Sequence, residues 1–509
     1  MLPAGGGGFL PFNTMQTLTD EQAAALNLQP GLCCVSAGPG SGKTHLMVER
    51  IIKDATETAR PGGMVVVTFT NAAAAELRER LERRGFNPAS LHHLGTLHSW
   101  ASRELRSSGY DLVMLGDRDI KTICDTVRKT LGAMARNMSQ PAMWQSALEP
   151  PTFGTNRTVG LAIRAAMKRA GTTHPDMLLR DFLELVATRP PAVERIYVDE
   201  YQDSAPVDAG IYETMHRNRG AALYLIGDPR QAIYGFRGAT PDNLARAWEL
   251  ATSRAQLTLC HRSAPEVCEL STWIAKAMRP MRGFDPVVTP ARSGTGSLKF
   301  RSFSSFEDEV TAAADWAFKM AAHGRSAAVL CRYNSQACAA AGVLRSRGGK
   351  VTCSADKQEQ RATLEDAIAL LQANNQAPPI YADSEPEAWW RETMTRLGIA
   401  FSIQDRLVDR LRFVTSIDDL LTLGDPADPN AGQMHVATIH AAKGLEWDAV
   451  WVLGADGAAF PERNPEAARM IFVACSRART HLVVSTAESR PEPESGQRLT
   501  GLRQTTWLP

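Results

Sequence analysis

The chain has 509 residues, which is enough for three to four domains of about 150 residues each. Its 56 Lys and Arg residues and 55 Asp and Glu residues leave a net charge of +1, so the overall charge does not favour binding to nucleic acid or to an acidic membrane. Charged residues make up 22% and hydrophobic residues 44%, which excludes a disordered chain. We therefore expect a soluble globular protein.

The nine cysteines are odd in number and form no Cys-x-x-Cys pair, which argues against structural zinc and against a disulfide framework. We expect small, buried thiols in a reducing compartment. Residues 1–16 contain neither a basic segment nor a long apolar core, and no later stretch of about 18 apolar residues follows. These patterns predict a cytoplasmic protein with a flexible N-terminus and no membrane partner.

Short apolar, β-rich runs alternate with helical patterns, and this alternation is typical of βαβ units around a parallel sheet. The first set of predicted strands is Leu32–Ala37, Met64–Phe69, Arg195–Val198, Ala222–Ile226 and Gln256–Leu259. The second set is Ala327–Leu330, His435–Ile439, Ala449–Leu453 and His481–Ser485. We predict the α/β class, with two parallel-sheet domains.

The change of pattern between the strands predicts the domain boundaries. The first α/β domain takes residues 17–99 and 191–275, and a helical insertion takes 100–190. The second α/β domain takes 276–373 and 430–487, and a short insertion takes 374–429. The flexible segment 1–16 and a polar tail, 488–509, complete the chain.

A glycine-rich segment, AGPGSGKT, follows the first predicted strand and opens a helix. Glycines in such a loop let backbone N–H groups point at phosphate oxygens, while the lysine reaches the β and γ phosphates and the threonine hydroxyl coordinates Mg²⁺. The segment therefore predicts an ATP site with bound Mg²⁺. Its residues are Ala37, Gly38, Pro39, Gly40, Ser41, Gly42, Lys43 and Thr44.

Two adjacent acids, Asp199 and Glu200, follow the predicted strand that ends at Val198. Hydrolysis of a nucleotide requires a carboxylate for the metal and a group that accepts the proton of the attacking water. We assign Asp199, with Thr44, to the metal and Glu200 to the water.

Further motifs occur in the order LTDEQ, VVVTFTNAAAAEL, GTLHSW, GDPRQAIYGFRGA, LCHRSAPEV, VATIHAAKGLEWDAVWVLG and EAARMIFVACSRARTHLVV. With the glycine-rich loop and the acid pair, they resemble the superfamily 1 helicases of the UvrD/Rep type, from Leu18 to Val484. The resemblance implies two RecA-like P-loop motor domains, with a reduced form of the family's second insertion. It also implies ATP-driven movement on single-stranded DNA in the 3′ to 5′ direction.

The resemblance assigns further roles around ATP. Gln22 would read adenine, Gln231 would sense the γ-phosphate, and Glu446 would lie near the ribose. Arg262 and Arg477 would contact the γ-phosphate, Arg477 from across the cleft. His261 stands where the family usually has a tyrosine that stacks on adenine.

The resemblance also implies a DNA surface of aromatic, small polar and basic side chains. Aromatic faces stack on any base, at about 1–3 kcal/mol each, without requiring a sequence. The implied residues are Phe69, Thr70, Asn71, Thr96, His98, Ser99, Tyr234, Phe236, Arg237, His440 and Lys443.

These patterns favour an ATP-dependent translocase or helicase that acts on single-stranded or tailed duplex DNA. One departure favours an alternative, because the segment 374–429 is shorter than the insertion that family members commonly carry there. The alternative is a DNA-sensing ATPase subunit that regulates a protein partner, such as a nuclease in an antiviral or repair complex. A motor on RNA would share the same ATP site.

Overall fold

The computed structural model describes residues 18–58, 60–110, 113–114, 117–148, 155–169, 172–235, 238–278, 285–355, 434–492 and 497–509. The predicted flexible segment 1–16 and the predicted insertion 374–429 lie outside these residues. No described helix is both long enough and apolar enough to cross a bilayer.

The first sheet has six strands, all parallel, in the order β3-β2-β6-β7-β1-β8. Its strands are β1 (Leu32–Ala37), β2 (Met64–Thr68), β3 (His93–Thr96), β6 (Arg195–Val198), β7 (Ala222–Gly227) and β8 (Ser253–Leu257). The central strands are apolar and buried on both faces, as expected of a sheet covered by helices on each side.

Alternate residues of these strands enter two separate cores, one on each face of the sheet. Helices α1 (Asp20–Leu26), α2 (Lys43–Thr58) and α3 (Asn71–Arg83) cover one face. Helices α4 (Leu97–Ser107), α8 (Pro175–Thr188), α9 (Pro206–Arg219) and α10 (Pro241–Leu250) cover the other.

The second sheet is also six-stranded and parallel, in the order β11-β16-β15-β12-β14-β13. Its strands are β11 (Ser297–Phe303), β12 (Ala327–Cys331), β13 (Val351–Cys353), β14 (Met434–Thr438), β15 (Trp447–Val452) and β16 (Ala478–Ala487). A two-residue parallel pair, β9 (Leu259–Cys260) and β10 (Thr289–Pro290), lies between the two sheets in sequence. Two parallel sheets confirm the predicted α/β fold class.

Helices α12 (Phe306–Ala322) and α13 (Asn334–Ser346) cover one face of the second sheet. Helices α11 (Pro265–Ala277) and α14 (Pro465–Cys475) cover the other. The predicted first domain, which ends at residue 275, includes α11. Its buried side chains, Val267, Leu270 and Ile274, instead join the core of the second sheet, so the packing moves this helix to the second domain.

The predicted helical insertion, 100–190, has a core of its own only in its central part. That core includes Cys124, Met143 and Ile163, and it is formed by α5 (Asp117–Leu131), α6 (Gln140–Leu148) and α7 (Thr155–Arg169), beside the short strands β4 (Val113–Met114) and β5 (Thr172–Thr173). The flanking helices α4 and α8 pack on the first sheet, where the Trp100 and Phe182 rings meet edge to face at 5.0 Å. The part of the chain that has a core of its own is therefore shorter than the predicted insertion.

The predicted polar tail, 488–509, is folded in the residues that the structure describes there. Strands β17 (Ser489–Pro491) and β18 (Arg498–Thr500) form an antiparallel pair. The buried Arg490 guanidinium donates to both carboxylate oxygens of Asp456, at 2.7 and 3.1 Å, and Leu508 packs into the second core. A bidentate ion pair compensates the burial of both charges, so this polar sequence belongs to the fold.

A second buried acid of this domain, Glu309, accepts its hydrogen bonds from neutral groups. Glu309 is fully buried; its Oε1 accepts from the Gly454 N–H at 2.9 Å and the Ser485 hydroxyl at 2.6 Å. Its Oε2 has no hydrogen-bond partner among the described residues. Burial raises the pKa of Glu309 from 4.5 to about 7, so the folded protein holds a proton here that the unfolded chain releases.

The raised pKa of Glu309 gives a stability contribution that is present below pH 4.5 and is lost as the pH rises towards about 7. The variant Glu309→Gln stays neutral at every pH and keeps an oxygen acceptor. Between pH 4.5 and 8 we expect its stability to rise relative to the wild type, by up to about 3 kcal/mol. Chemical denaturation of both proteins at several pH values measures this difference, and a difference that does not vary with pH would contradict the assignment.

Candidate functional site

The glycine-rich loop joins β1 to α2, with Ala37 as the last strand residue and Lys43 as the first helical residue. Gly40 and Gly42 have φ angles of +66° and +80°, in the left-handed region that residues with a Cβ atom adopt only at a cost. The loop therefore requires glycine at these two positions.

Two segments that are distant in sequence pack against this loop. A Cβ atom on Gly40 would lie 2.6 Å from Cβ of Arg262, and one on Gly42 would lie 2.7 Å from Nε2 of Gln22. The His261 N–H also donates to the Gly40 carbonyl at 2.8 Å. The segment that enters the second domain thus touches the phosphate loop directly.

Not every glycine of the loop has a free N–H for phosphate. The Gly38 N–H donates to the Leu257 carbonyl at the end of β8, at 3.0 Å, which corrects the expectation for this residue. The Lys43 ammonium lies 3.4 Å from the Ala37 carbonyl oxygen and 3.9 Å from Glu200 Oε1. Lys43 therefore lies between the phosphate loop and the acid pair.

Gln22 contacts the loop as well. Its Nε2 donates to the Ser41 carbonyl at 3.0 Å, and its Oε1 accepts from the Thr19 N–H at 3.1 Å in a capping box at the start of α1. The predicted adenine reader thus also ties helix α1 to the phosphate loop. The sequence motif alone did not predict this second contact.

Asp199 and Glu200 follow β6 and are held in one conformation by the backbone. The Asp199 N–H donates to the Val67 carbonyl at 2.9 Å, and the Glu200 N–H donates to Asp199 Oδ1 at 3.0 Å. Glu200 has a φ of +53° and is the only non-glycine residue in the left-handed region among the described residues. Such strain occurs where the surrounding structure imposes it, often at functional sites.

The two carboxyl groups differ in acidity. Burial, and then the neighbouring Glu200 carboxylate, raise the pKa of Asp199. Burial acts in the same direction on Glu200, but the Lys43 and Lys443 ammonium groups outweigh it and hold its pKa below the usual range. Glu200 is therefore the carboxylate of this pair that is ionised at neutral pH.

The donor set near Lys43 fits a magnesium ion. The Thr44 hydroxyl and the Asp199 carboxylate offer the hard oxygen ligands that Mg²⁺ prefers, and protein sites usually supply only one or two of these while water and phosphate complete the shell. A bound cation would also favour the ionised form of Asp199. Thr44 and Asp199 would therefore hold the ion.

Gln231 lies at the end of the short 3₁₀ turn after β7 and is buried between the two domains. Its Nε2 donates to Asp228 Oδ2 at 2.9 Å, and its Oε1 accepts from Nη2 of Arg477 at 3.1 Å. Arg477 follows α14 and is only 2% exposed. Burial lowers its pKa to about 9, so its guanidinium remains a cation at neutral pH and faces the first domain.

Arg262 and Glu446, which were predicted at the γ-phosphate and the ribose, contact each other. The Arg262 guanidinium forms an ion pair with Glu446, whose other oxygen accepts from Nη2 of Arg479 at 2.6 Å. Arg262 also donates to the Ser476 carbonyl at 3.4 Å, next to Arg477. Arg262, Arg477 and Glu446 therefore lie close together. The imidazole of His261 is exposed.

Lys443 differs from its prediction as a DNA-facing residue. Its ammonium forms an ion pair with the buried Asp203 and donates to the Gln231 carbonyl at 2.7 Å. A lysine that is paired with a buried acid is not an open phosphate contact. Asp203, the last acid of the DEYQD segment, was not singled out from the sequence, because a third acid near Asp199 has no distinguishing spacing.

Phe69 and Tyr234 form an aromatic pair next to this ion pair. Their rings stack with centroids 4.7 Å apart, and the Lys443 ammonium lies 5.0 Å from the centroid of the Tyr234 ring. His440 lies close by, with its ring centroid 6.1 Å from that of Tyr234. The structure brings these three predicted DNA contacts together, while Phe236 and Arg237 lie outside the described residues.

The remaining predicted DNA residues lie at the starts of two helices. Thr70 caps α3 by accepting from the Ala73 N–H at 3.1 Å, and Asn71 is the first residue of that helix. Thr96 caps α4, accepting from the Ser99 N–H at 3.2 Å, and its side chain is buried. This structural role corrects the prediction that Thr96 faces DNA. His98 and Ser99 lie in the first turn of α4 and are partly exposed.

The geometry around Gly40 predicts a selective effect of substitution. In Gly40→Ala the left-handed backbone and the 2.6 Å approach to Arg262 act together, so we expect kcat/KM for ATP hydrolysis to fall about tenfold or more. Gly38→Ala is the matched control, because its nearest neighbours would lie 3.4 Å away. Equal losses in the two variants would contradict this explanation.

Two protein-family models match the sequence of this chain. Residues 18–143 and 172–251 match the model of the UvrD/REP helicase N-terminal domain, and residues 405–489 match that of the UvrD-like helicase C-terminal domain. The ATP-dependent DNA helicase UvrD2 of Mycobacterium tuberculosis is 28% identical over 565 residues, covering 93% of this chain and 79% of that protein.

Two further relatives match parts of the chain. DNA helicase II of Escherichia coli is 30% identical over 261 residues, covering 46% of this chain and 36% of that protein. The ATP-dependent DNA helicase srs2 of Schizosaccharomyces pombe is 26% identical over 320 residues, covering 53% and 36%. The two family models together match more than half of the chain and both parallel-sheet domains, and the chain therefore belongs to the UvrD/REP helicase family.

Proposed function

We propose that the protein is an ATP-dependent motor that moves along single-stranded DNA in the 3′ to 5′ direction and separates duplex strands ahead of it. The contact that carries this proposal is the hydrogen bond from Arg477 of the second domain to Gln231 of the first, at 3.1 Å. A γ-phosphate bound near Lys43 and Gln231 would lie between the two domains. The relatives named as ATP-dependent DNA helicases support the same function.

The first domain supplies the groups for hydrolysis. Lys43 would bind the β and γ phosphates, and Glu200, ionised at neutral pH, would accept the proton of the attacking water. Mg²⁺ on Thr44 and Asp199 would neutralise charge on the phosphate oxygens. Gln22 and His261 would contact the adenine.

The arginines then couple hydrolysis to movement of the domains. Arg262 and Arg477 would stabilise the charge that develops on the transferred phosphoryl group, an effect worth about 10³–10⁵ in rate for arginine fingers. Because Arg477 comes from the second domain, loss of phosphate after hydrolysis would weaken the contact between the domains. Alternating closure and opening would move the DNA.

The DNA would be held through base stacking more than through charge. Phe69 and Tyr234 form the described part of an aromatic surface on which successive bases would stack, and His440, Thr70, Asn71, His98 and Ser99 would add polar contacts. Phe236 and Arg237 follow Tyr234 in sequence and would extend this surface. Such a site requires no excess of basic residues, which agrees with the net charge of +1.

The alternative function is a DNA-sensing ATPase subunit that regulates a partner such as a nuclease. The short segment 374–429 favours it, since a reduced insertion would leave strand separation to another protein. Processive unwinding of tailed duplexes by a strictly monomeric protein, measured together with its mass in solution, would exclude the subunit function.

Lys43→Ala tests the ATP site. Removal of the phosphate-binding ammonium should lower DNA-stimulated ATP hydrolysis by at least about 100-fold, on the scale of one lost transition-state contact. Lys53→Ala, farther along the same helix, is the matched control, because Lys53 contacts Asn27 and Glu57 on the exterior. A hydrolysis rate of the Lys43→Ala protein equal to that of the wild type would contradict the proposed function.

A second comparison uses the same assay, with DNA and RNA oligonucleotides of the same sequence. Stimulation of ATP hydrolysis by RNA alone would also contradict the proposed function.

Arg477→Ala tests the coupling of the domains. We expect kcat to fall by about 10³-fold, with ATP affinity changed only a few-fold, because the guanidinium acts on the transition state. Arg477→Lys should recover little, since the ammonium lacks the planar fork that reaches both Gln231 and the Leu445 carbonyl. Thermal unfolding of each variant shows whether it is folded. A kcat that is unchanged in a folded Arg477→Ala protein would exclude this role.

A further inference from the structure

The loop that follows β7, residues 228–235, is here called the sensor loop because it contains both Gln231 and Tyr234. Three successive backbone carbonyls of this loop each accept a hydrogen bond from a basic side chain of the second domain. Lys443 Nζ donates to Gln231 at 2.7 Å, Arg469 Nε donates to Ala232 at 2.6 Å, and His440 Nε2 lies 3.1 Å from the oxygen of Ile233.

These donors satisfy the carbonyls of three buried residues, of which Gln231 ends a 3₁₀ turn and Ala232 and Ile233 follow it outside any strand or helix. Lys443 and His440 belong to the motif that follows β14, and the family resemblance already assigns them. Arg469 lies on α14 and has no assigned role. Its side chain is partly buried, and burial lowers its pKa, so its position against the loop has a cost that the contact with Ala232 compensates.

Arg469 is the middle member of a stripe along one face of α14. Glu466, Arg469 and Phe472 are spaced three residues apart, which places them on the same side of a helix. A Cβ atom on Gly235 would lie 2.9 Å from Glu466 Oε2, and the Arg230 guanidinium lies 5.4 Å from the centroid of the Phe472 ring. The helix therefore runs along the sensor loop from residue 235 back to residue 230.

We propose that Arg469 is a positioning residue that holds the sensor loop on α14, so that Gln231 and Tyr234 keep a fixed position relative to each other. The inference rests on the proposed function, in which Gln231 faces ATP and Tyr234 faces DNA. Arg469 itself contacts neither ligand. Without it, DNA bound at the aromatic surface no longer sets the position of Gln231, and DNA stimulates ATP hydrolysis less.

Arg469→Ala tests the proposal, with Arg463→Ala as the matched control. Arg463 lies just before α14 and its side chain is exposed. Both variants are assayed for ATP hydrolysis with and without a single-stranded oligonucleotide, for KM of ATP, for oligonucleotide affinity by fluorescence anisotropy, and for thermal unfolding. We expect Arg469→Ala to lower the ratio of DNA-stimulated to basal kcat at least about tenfold, while KM and oligonucleotide affinity change less than about threefold. Arg463→Ala should match the wild type.

Amide hydrogen exchange provides a second measurement that does not depend on DNA or ATP. In Arg469→Ala we expect faster exchange of the amides of residues 228–235, and unchanged exchange in α2. Arg469→Lys, which keeps the charge on a differently shaped side chain, should give intermediate values in both experiments and replaces Arg469→Ala if that variant does not fold.

The outcomes separate this inference from the proposed function. A stimulation ratio or a loop exchange rate in Arg469→Ala equal to that of Arg463→Ala overturns the positioning role. A wild-type protein whose ATPase ignores DNA, combined with faster loop exchange in Arg469→Ala, overturns the proposed function but supports the anchoring of the loop by Arg469.

Discussion

The hydrogen bond between the Arg477 guanidinium and the Gln231 amide joins two separately packed cores at the point where ATP chemistry is proposed. Both side chains are buried, so the interaction is weakly screened by water and sensitive to any added charge. A phosphate group placed beside Gln231 would attract Arg477 more strongly than the amide does. In the proposed function, a phosphate in this cleft would therefore influence the relative position of the two sheets.

Charge compensation explains how so many ionic groups occupy this cleft. Lys43 lies beside Glu200, Lys443 pairs with Asp203, and Arg262 pairs with Glu446. Unpaired charges at such positions would be strongly destabilising, whereas paired charges can exchange partners when a phosphate binds. Because these pairs cancel in the sum, a net charge of +1 carries no information about the site.

The strands that sequence patterns predicted well are those buried on both faces, such as β1, β2, β7 and β12, since continuous apolar runs are the signature of central parallel strands. The edge strands were missed or displaced. β3, β11 and β13 were not predicted, and the polar β8 was placed three residues too late. β8 and β11 are partly exposed and carry polar residues, while β3 and β13 have only four and three residues, so none of these strands shows a long apolar run.

The sequence by itself determined the α/β class, the phosphate loop and the acid pair, because each depends on neighbours along the chain that a strand, a turn and a helix place in a regular way. Only the tertiary structure decided that Lys443 pairs with Asp203, that Thr96 caps a helix, that α11 belongs to the second sheet and that the C-terminal residues pack on it. The contact from Arg469 to Ala232 spans 237 positions of the chain. Contacts between residues so far apart in sequence depend on tertiary packing, and local sequence spacing does not predict them.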